Sequence, residues 1–188
     1  MEVAEQFGNI KPLPIAILRE AIAYDESTGI LIWKSRPSAH FLSDCACTIF
    51  NARFLGTPAL ASRHHQGYRN GAVSYLGRLH GLVAHRVAFA IAHGRWANPC
   101  VDHVNGVRDD NRLANLREAT KLENSYNQGP SSRNLIGIKG VFRSGKKFSA
   151  HATLRGKRMN LGSFLTLEEA IDARRSFAAK HYGVFCRH

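Results

Sequence analysis

Residues 100–125 read "CVDHVNGVRDDNRLANLREATKLENS", with Asp102 and His103 adjacent, Asn115 twelve residues after the histidine and Asn124 nine further on. These residue types could hydrolyse a phosphodiester. That reaction needs a base for water, charge neutralisation at phosphorus and stabilisation of the leaving oxygen. An imidazole suits the first task, because its pKa lies near neutrality. A divalent cation suits the other two. Neighbouring side chains on a strand point to opposite faces, so a bulged or twisted strand would be needed to bring Asp102 and His103 to one edge. A helix through "KLENSYN" could carry Asn124 across to the same cation. The same residues also allow a hydrogen-bonded loop without chemistry, since asparagine is common in turns and caps.

The composition narrows the partner. The chain has 188 residues and a formal net charge of +12. Residues 130–188 hold 12 Lys and Arg against three acids, whereas residues 1–129 hold 14 against 11. The excess therefore lies in the last third, and a polyanion, most simply nucleic acid, is the natural partner. Apolar residues reach 44% but stay dispersed, and no run approaches the roughly 20 residues that cross a bilayer. "MEVAEQFGNIKPLP" lacks the pattern of a secretory signal. A soluble, cytoplasmic protein with no membrane association is expected. Cys45, Cys47, Cys100 and Cys186 form no CxxC pair, which argues against a zinc knuckle.

Several elements must position the opening stretch. "LPIAILREAIA" over 13–23 has helical spacing, "YDESTG" is a turn and "ILIWK" a short strand. Residues 36–66 show no clear pattern. "YRNGAVSYLGRLHGLVAHR" reads as strands joined by glycine turns, and "AHRVAFAIAHG" as a helix closed by Gly94. "NQGPSSRNLIG" breaks the pattern and marks a linker. Beyond it, "KKFSAHATLRG" alternates, with Phe148, Ala150, Ala152 and Leu154 on one face. "GIKGVFRSG" and "KRMNLGSFL" read as its neighbours. "TLEEAIDARRSFAAKHYG" begins with Thr166 and Glu169 in capping-box spacing. A three-stranded sheet covered by one helix is expected, with Arg143, His151 and Arg155 on the open face and Lys147 and Arg158 near its edges.

"VDHVNGVRDDNRLANLREATKLEN" resembles the HNH endonuclease motif across its whole length. The resemblance implies a ββα-metal (His-Me finger) fold, with His103 as general base and Asn115 tying the hairpin loop so as to orient it. Asp102 and Asn124 match the metal ligands. Asn124 stands where the family name has histidine, and an aspartate precedes the base; this variant is similar to phage and mobile-element members of the homing type. Two oxygen donors favour a hard divalent cation, Mg²⁺ or Mn²⁺. "AIAYDESTGILIWK" and "AHRVAFAIAHGRW" resemble segments that precede the motif in phage HNH proteins. His85 and Arg86 fall in the second, either against the scissile phosphate or, for His85, packed in the hairpin core. "GIKGVFRSGKKFSAHATLRGKRMNLGSFLTLEEAIDARR" resembles the ethylene-response-factor DNA-binding domain, whose open sheet face lies in the major groove. Its strands lack the tryptophans of the plant members.

The expected class is α+β: a ββα-metal nuclease core plus a C-terminal three-stranded antiparallel sheet packed on one helix. The expected divisions are an N-terminal α/β region over 1–78, a nuclease core over 79–128, a linker over 129–137 and a DNA-binding domain over 138–188. The expected activity is metal-dependent cleavage of double-stranded DNA, leaving 5′-phosphate ends, by a monomer or homodimer with no evident obligate protein partner. Proposed DNA contacts are His85, Arg86, Arg143, Lys147, His151, Arg155 and Arg158. Two other readings use the same residues: a DNA-binding regulator with a degenerate nuclease centre, and a structural zinc module on Asp102, His103 and a cysteine.

Overall fold

A computed structural model of the chain describes residues 12–186. Residues 1–11, which include most of the segment read above as lacking a signal, lie outside the described residues, as do 187–188. The described residues form a mixed α+β structure with five α-helices and four small sheets. They fall into two units: residues up to 103 with 107–118, and residues 104–106 with those from 119 onward. Among the described residues, no helix is long and apolar enough to cross a membrane.

The first unit opens with α1 (Ile15–Ala21). The helix stops short of the expected residue 23, because Ile22–Tyr24 forms strand β1 and pairs antiparallel with β2 (Leu31–Trp33). Tertiary pairing overrides helical spacing here. The turn between them is the expected one: the Asp25 carboxylate accepts from Ser27 N at 2.9 Å and Oγ at 2.7 Å. Residues 36–66, unreadable in the sequence, contain α2 (Asp44–Phe54), capped by Ser43, and the short strand β3 (Ser62–Arg63). Their organiser is Arg36, which is only 1% exposed. Its guanidinium lies over Phe41 and Phe50 at 4.6 and 4.7 Å, donates to Ser74 O, and its backbone is held at both N and O by the Asn51 amide. Such a clamp links distant residues and leaves no periodic trace.

Strands β4 (Arg69–Tyr75) and β5 (Arg78–Val83) form the expected hairpin, with β3 on its other edge. Helix α3 (Ala84–His93) follows directly and ends at Gly94, in the left-handed conformation at φ 68°. Ala84 and Val87 pack into the core of α1, β1 and β2, whereas Ala88 and Phe89 pack with Val101 and Leu116. Those last two belong to β6 (Cys100–His103) and β7 (Leu116–Ala119), which pair as a two-stranded sheet. Helix α3 thus fastens the strand of Asp102 and His103 to the N-terminal core.

The second unit contains α4 (Lys121–Asn127), β8 (Val141–Ser144), β9 (Lys147–Leu154), β10 (Lys157–Phe164) and α5 (Leu167–Tyr182). The sheet is antiparallel, ordered β10-β9-β8. Ala150 and Val141 pack under Ala170 of α5, with Phe148, Phe164 and Ile171 around them. The alternation expected for β9 is therefore realised. The capping box at Thr166 and Glu169 is also present.

The β1–β2 turn also braces a loop of the first unit. Tyr24 Oη donates to Asn111 O at 2.7 Å and Leu113 N donates to Glu26 O at 3.0 Å. Gly29, at φ +77°, lies so close that an added Cβ would sit 2.5 Å from Arg112 N. Both the φ and the backbone contact exclude a side chain. Gly29→Ala should therefore destabilise the protein by more than about 1 kcal/mol, read as a lowered melting temperature. An unchanged melting temperature would show that this turn does not brace the loop.

Candidate functional site

Strand β6 is buried at all four residues, and Asp102 and His103 are each 4% exposed. Their side chains reach different partners, as adjacent residues on a strand do. Asp102 Oδ2 accepts from Arg117 Nε at 2.8 Å and Nη2 at 2.7 Å, across the hairpin on β7. His103 Nε2 lies 3.2 Å from Asn111 Oδ1, on the loop that the β1–β2 turn braces. An amide oxygen only accepts, so in this pairing Nε2 carries the proton and the basic lone pair belongs to Nδ1. Burial lowers the His103 pKa from its ordinary 6.5, opposed by the Asn111 bond and the Asp102 and Asp110 carboxylates. Burial therefore favours the neutral ring, the state a general base needs.

Asn115 is 8% exposed and donates from Nδ2 to Asp110 O at 2.8 Å, closing the same loop from its other end. Asn111, Arg117, Tyr68 and Arg108 were not singled out from the sequence. The Tyr68 ring lies 5.1 Å from that of His85 and 5.9 Å from that of His103, and Arg108 covers Tyr68 at 5.1 Å. Only Arg117 carried a faint signal: a cation on the strand expected to run beside that of Asp102.

Asp102 supplies a carboxylate oxygen, a donor that fits a hard cation in kind. Among the described residues, no group of three or more His, Cys, Asp or Glu gathers as a metal cage. A Mg²⁺-type site needs only one or two carboxylates, with water and phosphate completing it. A carboxylate offers about four lone-pair directions, so an arginine and a cation can share one carboxylate. Asn124 lies on α4 in the second unit and is half-buried.

The second unit presents the candidate nucleic-acid face. The register sets Phe142 opposite Ser149, Arg158 opposite Thr153 and Asn160 opposite His151. Lys147, Ser149, His151 and Thr153 share the face away from α5, and Arg158 joins them from β10. Arg143 pairs with Phe148, so the register puts it on the helix side at an exposed strand end, and the open-face residue of β8 is Phe142. Arg155 is exposed in the turn between β9 and β10, at φ 48°, rather than on the strand. Both differ from the placement expected on strand alternation. The cause for Arg143 is parity: one residue of register moves a side chain to the other face.

His85 is 8% exposed, its ring 4.8 Å from that of His103, and Arg86 beside it is half-buried. His85 Nδ1 is buried without a hydrogen-bond partner within the protein. Burial, then the neighbouring His103 and Arg86, hold its pKa well below 6.5. The unfolded chain takes up this proton first as pH falls. The stability from burying neutral His85 is thus complete above about pH 6.5 and is lost below it. The melting temperature should fall as pH drops through about 6.5, and fall less in His85→Leu. Equal falls in both proteins would contradict this assignment.

No curated protein and no solved structure matches the chain. Residues 83–126 match the HNH endonuclease family. That span runs from the end of β5 through α3, β6 and β7 into α4, and contains His85, Asp102, His103, Asn115 and Asn124. The match supports a nuclease function for this region.

Proposed function

We propose that the chain is a metal-dependent DNA endonuclease of the HNH homing type, with His103 as its general base. One observation carries the reading: within the HNH span, a buried histidine is tethered through Nε2 by Asn111, on a loop closed by Asn115. His103 Nδ1 takes a proton from water. The water oxygen attacks phosphorus, the bond to the 3′ oxygen breaks, and a 5′-phosphate end results. Asp102 and Asn124 would hold the cation, Mg²⁺ or Mn²⁺, which when bound supplies charge neutralisation at phosphorus and at the departing oxygen.

The functional division in this proposal follows residues 1–78, 79–128, 129–137 and 138–188. His85 and Arg86 serve the nuclease region near the scissile phosphate. Lys147, His151 and Arg158 on the open sheet face, with Arg143 and Arg155 at exposed strand ends and turns, contact double-stranded DNA. The surplus of cations after residue 130 supports this assignment. One base per chain implies a nick from a monomer, and a homodimer would cut both strands.

Two measurements test the reading. Nicking of supercoiled plasmid should require Mg²⁺ or Mn²⁺, stop with EDTA, and weaken strongly in Asn124→Ala. Cleavage that persists in EDTA would overturn metal dependence. DNA binding measured in EDTA should weaken with salt at about −0.9 in the log-log slope per phosphate neutralised. Arg158→Gln should therefore make the slope shallower by about 0.9. A flat salt response would remove the C-terminal sheet from the account.

A further inference from the structure

Helix α4, which carries Asn124, has only seven residues. A helix that short is marginal on its own in water, so its position depends on what holds it. Its N-terminus is closed by its own capping box, Thr120 with Glu123. Further ties come from the C-terminal module. Tyr126 is 8% exposed and stacks face to face on Tyr182 of α5, with ring centroids 4.0 Å apart and an interplanar angle of 7°. Tyr126 Oη accepts from Arg155 N at 3.1 Å, in the β9–β10 turn. At the C-terminal end of the helix, Lys139 Nζ donates to Ser125 O at 2.6 Å and to Tyr126 O at 3.0 Å. A cation there satisfies open carbonyls and complements the helix dipole.

The second tyrosine completes the link. Tyr182 Oη donates to Thr153 O at 2.8 Å and accepts from Thr153 N at 3.1 Å. The stacked pair therefore grips the end of β9 at Thr153 and the turn that follows it at Arg155. That strand also carries the face assigned to DNA. Asn124 sits two positions before Tyr126 on the same short helix.

We infer that Tyr126 and Lys139 are positioning residues for the cation site, and that the C-terminal module is part of the cutting machinery rather than a tethered targeting domain. The inference rests on the proposed role of Asn124. On this view the β9–β10 turn, the tyrosine stack and α4 move as one piece, and the module sets where Asn124 stands whether or not the DNA sequence is preferred.

The test uses the full chain and reads Mn²⁺ binding directly, by loss of the free-ion electron paramagnetic resonance signal, alongside DNA affinity in EDTA. Tyr126→Ala should weaken Mn²⁺ binding at least tenfold, about as much as Asn124→Ala, and the double variant should be no weaker than either. Tyr126→Phe keeps the stack and should stay within threefold of the native chain. DNA affinity in EDTA should change less than threefold in Lys139→Gln. Lys139→Gln acts from outside the core and should weaken Mn²⁺ binding in the same direction if Tyr126→Ala proves unstable. Native-like Mn²⁺ binding in Tyr126→Ala and Lys139→Gln, with Asn124→Ala impaired, would overturn the positioning role alone. Absence of Mn²⁺ binding by the native chain, or an unimpaired Asn124→Ala, would remove the role of Asn124 and this inference with it.

Discussion

The structure of the first unit depends on keeping one buried imidazole both neutral and oriented. His103 gives up most of its contact with water on β6, and a buried polar ring needs a polar partner. Asn111 supplies it from a loop with little regular structure. The loop would have no fixed place by itself. Tyr24, Glu26 and Gly29 fix it from one side and Asn115 from the other. Much of the N-terminal region therefore acts on the site through one backbone segment, and α3 holds β6 against the same core.

Charge follows the same economy of placement. Strand β7 sends Arg117 to the buried Asp102 carboxylate and Glu118 to Arg95. The Arg95 bonds, then the Asn98 N–H, hold the Glu118 carboxyl down to about 2. The exposed Arg95–Glu118 pair fastens the entry to β6 and contributes little stability of its own. The Asp102–Arg117 pair differs: both side chains are largely buried, where losing an ion-pair partner is costly.

Local signals in the sequence were legible wherever one segment settles its own structure. Thr166 and Glu169 cap α5, Gly94 ends α3, the Asp25 turn forms, and β9 alternates as read. What was hidden depends on partners far apart in the chain. Arg36 organises residues 36–66 through Phe41, Phe50 and Ser74. Asn111 and Arg117 gain meaning only once the loop and hairpin close. The side of the sheet taken by Arg143 needed the pairing register, and Arg155 needed the exact end of β9. The spacing of Asp102, His103, Asn115 and Asn124 pointed to chemistry, whereas the tyrosine stack beneath Asn124 could not be read from spacing at all.

The central claim is that His103 performs base catalysis on DNA. The most direct measurement compares nicking of supercoiled plasmid by the native chain and by His103→Ala, at saturating Mg²⁺ or Mn²⁺ and equal DNA occupancy. Loss of a general base should cost about 10²- to 10⁴-fold in rate while leaving binding intact. Equal cleavage by both proteins, or none by either on plasmid that both bind tightly and that carries a cleavable target, would contradict the account and leave a DNA-binding protein without a working nuclease centre.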